Sequence, residues 1–180
     1  MVATPIETLL APDFLVGLTS VPLPEVRSRR AVCQEVEVGL SYLRRMVQGR
    51  LDIVLAELAR RTSGESAGDV ANLVDRLPSI LADNVHAPGN GRLPTLMTPT
   101  LDELDVGFTS RLDAIVDANE LAALSDREVD EVHAVADSLH QLEKDISAQR
   151  RSLHERIDVL QEEIVRRYKT GEATVDTLLA

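Results

Sequence analysis

The sequence predicts an all-α protein in which two long helices form an antiparallel coiled coil, with short helices in the connection between them. Three observations carry that expectation. Apolar residues recur at helical spacing over Val36, Leu40, Leu43, Val47, Leu51, Val54 and Leu58, and again over Val132, Val135, Leu139, Leu142, Ile146, Leu153, Ile157, Leu160 and Ile164. No stretch shows the period-two alternation of a strand. Finally, a polar pattern occurs twice. Glu37, Ser41, Arg44, Gln48 and Asp52 stand at spacings of 4, 3, 4 and 4, and the order returns as Glu143, Ser147, Arg150, His154 and Asp158.

The elements follow in order. Residues 1–22 contain Pro5, Pro12, Pro22 and Gly17 and read as an extended N-terminal arm. Its apolar residues, Leu9, Leu10, Phe14, Leu15 and Leu18, suit docking on the body of the protein or on a partner. Residues 23–180 form the helical domain. Pro24 fits a first helical turn, where its missing N–H goes unnoticed, and the first long helix runs to about Arg61, stopped by Thr62, Ser63 and Gly64. Gly39 and Gly49 each weaken it by about 0.5–1 kcal/mol relative to Ala. They are either tolerated surface glycines or places where a bulky ligand or second helix comes close. Ser66 and Asp69 suit the start of a short helix that Pro78 breaks or kinks. Residues 86–100, with three Pro and two Gly, read as a loop or linker. Thr100 suits the cap of a short helix through Leu101, Leu104 and Val106, and another short helical pattern covers 110–123. Ser125 and Glu128 have the spacing of a capping box for the last long helix, which Thr170-Gly171 ends. Each long helix spans about 55–65 Å at 1.5 Å per residue. One apolar stripe does not stabilise such a helix alone, so the economical solution packs the stripes together. The connection allows a parallel crossing; the antiparallel one relates the two polar patterns by an approximate two-fold axis.

The polar pattern is the candidate for function. Each of its residues directly follows an apolar stripe position: Val36, Leu40, Leu43, Val47 and Leu51 in the first copy, and Leu142, Ile146, Leu153 and Ile157 in the second, where Gln149 interrupts the stripe. Four of the five polar residues are identical between copies, with His154 in place of Gln. Serine is a mediocre helix former and gains nothing from packing at an exposed site. The arginines offer forked donors for phosphate or a guanine edge, and the carboxylates accept from guanine N–H groups. A ligand with its own two-fold symmetry would match a paired site. The plain alternative is a solvated face whose pairs contribute a few tenths of a kcal/mol each.

Composition narrows the classes. A net charge of −11 argues against duplex binding and suits a partner with a basic face. Two Phe, two Tyr and no Trp leave no stacking platform for single-stranded nucleic acid. The single cysteine, Cys33, excludes an internal disulfide. His86, His133, His140 and His154 lack metal-ligand spacing on one face, Glu37 and Asp52 lie about 22 Å apart, and no phosphate loop is present, so no catalytic constellation is expected. The start of the chain lacks a signal-peptide pattern and no apolar run reaches about 18 residues, so the expectation is a cytoplasmic protein without a membrane span.

The arrangement Glu-x3-Ser-x2-Arg-x3-Gln-x3-Asp is similar to the signature of the RsiG family of actinomycete anti-sigma factors. The first copy matches at all five places and the second at four. The resemblance implies an antiparallel coiled coil carrying an intercalated dimer of cyclic di-GMP. Glu37, Ser41, Arg44, Gln48 and Asp52 would line one half of the site, and Glu143, Ser147, Arg150, His154 and Asp158 the other. It further implies that the ligand-bound protein sequesters a WhiG-type sigma factor as a 1:1 heterodimer, without enzymatic activity or DNA contact of its own. His154 departs from the pattern and would give its half a different geometry or pH response. The competing reading is a structural coiled-coil adaptor with no nucleotide. An enzyme acting on cyclic di-GMP would need a metal cluster that the sequence does not offer.

Overall fold

The computed structural model describes residues 5–63 and 102–172. Helix α1 (Pro5–Leu10) is followed by turns and a 3-10 turn at Leu18–Ser20, then the long helix α2 (Leu23–Ser63). Helices α3 (Asp102–Ile115) and α4 (Ala118–Ala122) and a second 3-10 turn at Leu124–Asp126 lead into the other long helix, α5 (Val129–Lys169). The expected short helix from Ser66, the Pro78 break, the 86–100 loop, the cap at Thr100 and the tail beyond Glu172 lie outside the described residues.

Both long helices form where the stripes require them. Val36, Leu40, Leu43, Val47, Leu51 and Val54 of α2 are buried against Val132, Val135, Leu139, Leu142, Ile146, Leu153, Leu160 and Ile164 of α5. Burial of each such side chain contributes about 1.5–3 kcal/mol, so the seam outweighs any ion pair along it. The helices run antiparallel: Arg27 of α2 reaches Tyr168, Arg44 reaches Glu143, and Arg61 reaches the carbonyl of Arg127. Charges at the ends oppose the helix dipoles. Glu25 stands in the first turn of α2 and Arg60 and Arg61 in its last, and α5 has Asp130 and Glu131 against Arg166, Arg167 and Lys169. Gly171, with φ of 76°, follows the end of α5 in the left-handed conformation that suits glycine.

The repeat reaches well beyond the ten polar residues. α2 and α5 are both 41 residues long, and Leu23 to Val129 and Ser63 to Lys169 are both steps of 106. The same step takes the turn at Leu18–Ser20 onto that at Leu124–Asp126, and buried Ile6 and Leu18 onto buried Leu112 and Leu124. It also relates two clamps. Arg61 donates to the carbonyls of Leu124 and Arg127 and pairs with Glu57. Arg167 donates to those of Leu18 and Val21 and pairs with Glu163. Arg50 and Arg156 behave likewise, donating to Val116 and Leu10 at the ends of α3 and α1. In each half, then, two arginines of a long helix hold the backbone of a short lead-in segment.

Three expectations change. The chain over 5–22 is folded rather than extended: α1 and the 3-10 turn pack onto the coil, with Ile6, Leu9 and Leu18 buried. The pattern expected at 110–123 divides into the end of α3 and the short α4. Ser125 and Glu128 make no capping box. Ser125 is inside the 3-10 turn, whose Leu124 carbonyl Arg61 occupies, and Glu128 caps α5 without a side-chain bond. The box forms instead at Asp117 and Glu120, with both bonds at 2.8 Å.

The Glu163–Arg167 pair is the buried one, both side chains being 8% exposed. Removing one partner leaves an unpaired buried charge, so Arg167→Ala is expected to destabilise the fold by about 3–5 kcal/mol in urea unfolding. Hydrogen bonds from Arg166 and Arg167 hold the Glu163 carboxyl at about 2, against an ordinary 4.5. A depressed folded-state pKa stabilises the fold above the unfolded value and the benefit disappears as pH falls through the folded one. Between pH 4.5 and about 2 the native protein should therefore lose more stability than Glu163→Gln does, as read by unfolding midpoints across that window.

Candidate functional site

On both helices the polar ladder runs beside the apolar seam, one residue on from the stripe, so each side chain emerges at the edge of the coil. Nine of the ten residues are partly buried, and Asp158 is exposed. The antiparallel register brings the two ladders onto one edge. Arg44 donates to Glu143 at 2.6 Å and to Ser147 at 2.9 Å. Arg150 donates to Glu37 at 2.8 Å. Within each helix Ser41 donates to Glu37 at 2.7 Å and Ser147 to Glu143 at 3.0 Å. The two crossings are reciprocal, since Arg44 and Glu37 are the counterparts of Arg150 and Glu143. An approximate two-fold axis passes through the seam between them.

The halves differ at the fourth place. His154 Nε2 lies 3.3 Å from Glu37 Oε1, and the imidazole is 46% exposed. Burial disfavours ionisation of Glu37, but hydrogen bonds from Ser41 and Arg150 and the nearby positive charge outweigh it, so its carboxyl lies below the ordinary range. The side chains of Gln48, Asp52 and Asp158 make no hydrogen bond or ion pair with another described residue. The structure thus joins Glu37, Ser41, Arg150 and His154 in one cluster and Glu143, Ser147 and Arg44 in another. The remaining three side chains flank them.

Gly49 is not a close helix contact, because a Cβ there would meet nothing within 4 Å. Gly39 is buried. Gln149, which interrupts the stripe, has a buried Oε1 without a partner among the described residues. The described residues include no group of three or more His, Cys, Asp or Glu able to hold a metal, and no helix among them is long and apolar enough to cross a membrane.

The geometry defines a class: a helical coiled-coil protein with a paired polar edge. The RsiG-like family matches residues 12–81 and 116–180, most of the chain, and the protein belongs to that family. Membership makes it a regulator of the anti-sigma-factor type. No curated protein matches the sequence.

The pattern of ten polar residues understates the repeat. Glu57, Arg60 and Arg61 recur as Glu163, Arg166 and Arg167 at the same separation as Glu37 and Glu143. Aligning the halves at that separation picks out these residues from the sequence, while their contacts with distant carbonyls come from the fold.

The cross-seam pairs are only partly exposed, between 16% and 35%. A double-mutant cycle on Glu37 and Arg150, read by thermal unfolding without ligand, is expected to give a coupling of about 0.5–1.5 kcal/mol. The same cycle on Glu143 and Arg44 should fall in the same range, differing by the His154 contact that only Glu37 makes.

Proposed function

We propose that the paired ladders bind a dimer of cyclic di-GMP, and that in this state the protein sequesters a WhiG-type sigma factor as a 1:1 heterodimer, denying it to RNA polymerase. The observation that carries the reading is the reciprocity of the Arg44–Glu143 and Arg150–Glu37 pairs. A two-fold ligand needs two equivalent donor and acceptor sets facing one edge, and this edge has them.

The chemistry follows by exchange of partners. Without ligand, each arginine is neutralised by a glutamate from the opposite helix. A ligand bearing phosphates and guanines offers acceptors to Arg44 and Arg150, at phosphate oxygens or at guanine O6 and N7. It also offers N1–H and N2–H donors to Glu37 and Glu143. Each ion pair opens and both of its members find new partners, so hydrogen bonds are conserved. Ser41 and Ser147 keep the glutamates oriented, while Gln48, His154, Asp52 and Asp158 supply contacts toward the ends of the ligand. Two such molecules bridging both helices would bias the coil toward one geometry, and a partner that prefers that geometry then binds by population shift. The net charge of −11 suits the basic, polymerase- and DNA-facing surfaces of a sigma factor.

The self-neutralised seam also favours a second reading, an adaptor that binds its partner with no nucleotide. Calorimetric titration of cyclic di-GMP, with and without the sigma factor, separates the two. The expected outcome is two ligands bound per chain, with Arg44→Ala and Arg150→Ala each weakening binding by about 10- to 100-fold. An adaptor would show no heat in any arm, and both variants would retain the partner.

A further inference from the structure

Three contacts define the edge of the coil on which the ladders meet. Arg30 donates to Gln161, His154 approaches Glu37, and Arg44 donates to Ser147. Successive contacts are seven residues apart on both helices, so the register is constant along the edge. Gln34 lies between Arg30 and Glu37 on α2, three residues before Glu37 and therefore on the same face. The register sets it level with Ile157, between His154 and Asp158 of the facing edge. The step of 106 that relates the halves takes Gln34 to His140, which by the same register is level with Leu51, between Gln48 and Asp52.

At these places α2 carries glutamine twice and α5 histidine twice. His140 lies within one turn of Gln48 across the seam, and Gln34 within one turn of His154. Each half-site therefore holds one amide and one imidazole, contributed by opposite helices. Gln34 is exposed and its side chain makes no hydrogen bond with another described residue, so its amide is available at the edge. His154 instead leans on Glu37. A neutral imidazole offers one donor and one acceptor, whereas a carboxamide offers two donors and an acceptor on a longer, pivoting arm. The amide is the group the His154 half-site lacks on its own ladder.

We propose that Gln34 is a ligand-binding residue, reaching across the seam to supply the amide that His154 replaces. The inference rests on the nucleotide reading above and extends it to a residue outside the repeated pattern. The test is calorimetric titration of cyclic di-GMP into the full chain carrying Gln34→Ala, Gln48→Ala, His154→Gln, or Gln34→Ala with His154→Gln. Gln34→Ala is expected to weaken binding about five- to tenfold, as Gln48→Ala does. Adding His154→Gln should recover most of that loss by returning an amide to the ladder. Thermal unfolding of Gln34→Ala should match the parent protein, as fits an exposed helix position. Parent-like binding by Gln34→Ala beside a weakened Gln48→Ala overturns the proposal, and so does a double variant no better than Gln34→Ala. If the unaltered protein takes up no cyclic di-GMP, the nucleotide reading itself fails and carries this inference with it.

Discussion

Two equal helices packed antiparallel must place the start of one beside the end of the other, and everything at this edge follows from that constraint. A residue near the middle of α2 meets a residue near the middle of α5. If the two helices carry the same pattern, each arginine meets the glutamate of the opposite copy. Arg44 with Glu143 and Arg150 with Glu37 are one interaction written twice. Shifting the register by one residue would turn Leu40, Leu43, Ile146 and Leu153 out of the core together with the ladders. The apolar seam therefore sets the polar geometry, and it has far more free energy with which to do so.

The clamps protect that register at both ends. Arg61 and Arg167 each join a glutamate one turn back on their own helix to backbone carbonyls of the opposite half. Arginine suits this task because its planar fork can serve a carboxylate and carbonyls at once. The clamps differ in burial, Arg167 being more enclosed than Arg61. Arg50 and Arg156 add a second tie in each half. The short segments gain order from these ties and from Ile6, Leu18, Leu112 and Leu124 beneath them.

Much of this was legible in the residues. The stripes located α2 and α5 because an apolar period near 3.6, sustained along the length of each helix, is what a long amphipathic helix requires. The ladders were legible because each polar residue directly follows a stripe residue, which fixes the side of the helix it occupies. Their meeting was less so, since a parallel crossing of the same helices would have sent Glu37 away from Arg150. The clamp arginines stand in the last turns of their helices, where a favourable interaction with the dipole is reason enough for a basic residue, and that local role hides the distant one. The folded course of residues 5–22 was illegible for the same reason: Leu10, Leu18 and Val21 are held by Arg156 and Arg167, about 146 residues away. A capping box at Ser125 does not form because Ser125 lies inside the 3-10 turn at Leu124–Asp126 and α5 begins only at Val129, with Glu128 at its N-cap.

On the proposed function, the self-pairing of the ladders also bears on how a ligand would be selected. Four uncompensated charges along a seam of a helix pair would repel where they are alike and would lose solvation where they are half-buried. Crossing them as Arg–Glu pairs lets the edge fold without that penalty. It also holds each guanidinium and carboxylate near the position from which it would grip a ligand, so less conformational entropy is lost on binding. The requirement placed on a ligand is then specific. A simple anion satisfies the arginines but strands Glu37 and Glu143, and a simple cation does the reverse. Only a molecule carrying acceptors and N–H donors at matched spacing, twice over, replaces every bond it breaks. Selectivity on such an edge arises from the groups left unpaired by the wrong ligand more than from the strength of any contact with the right one.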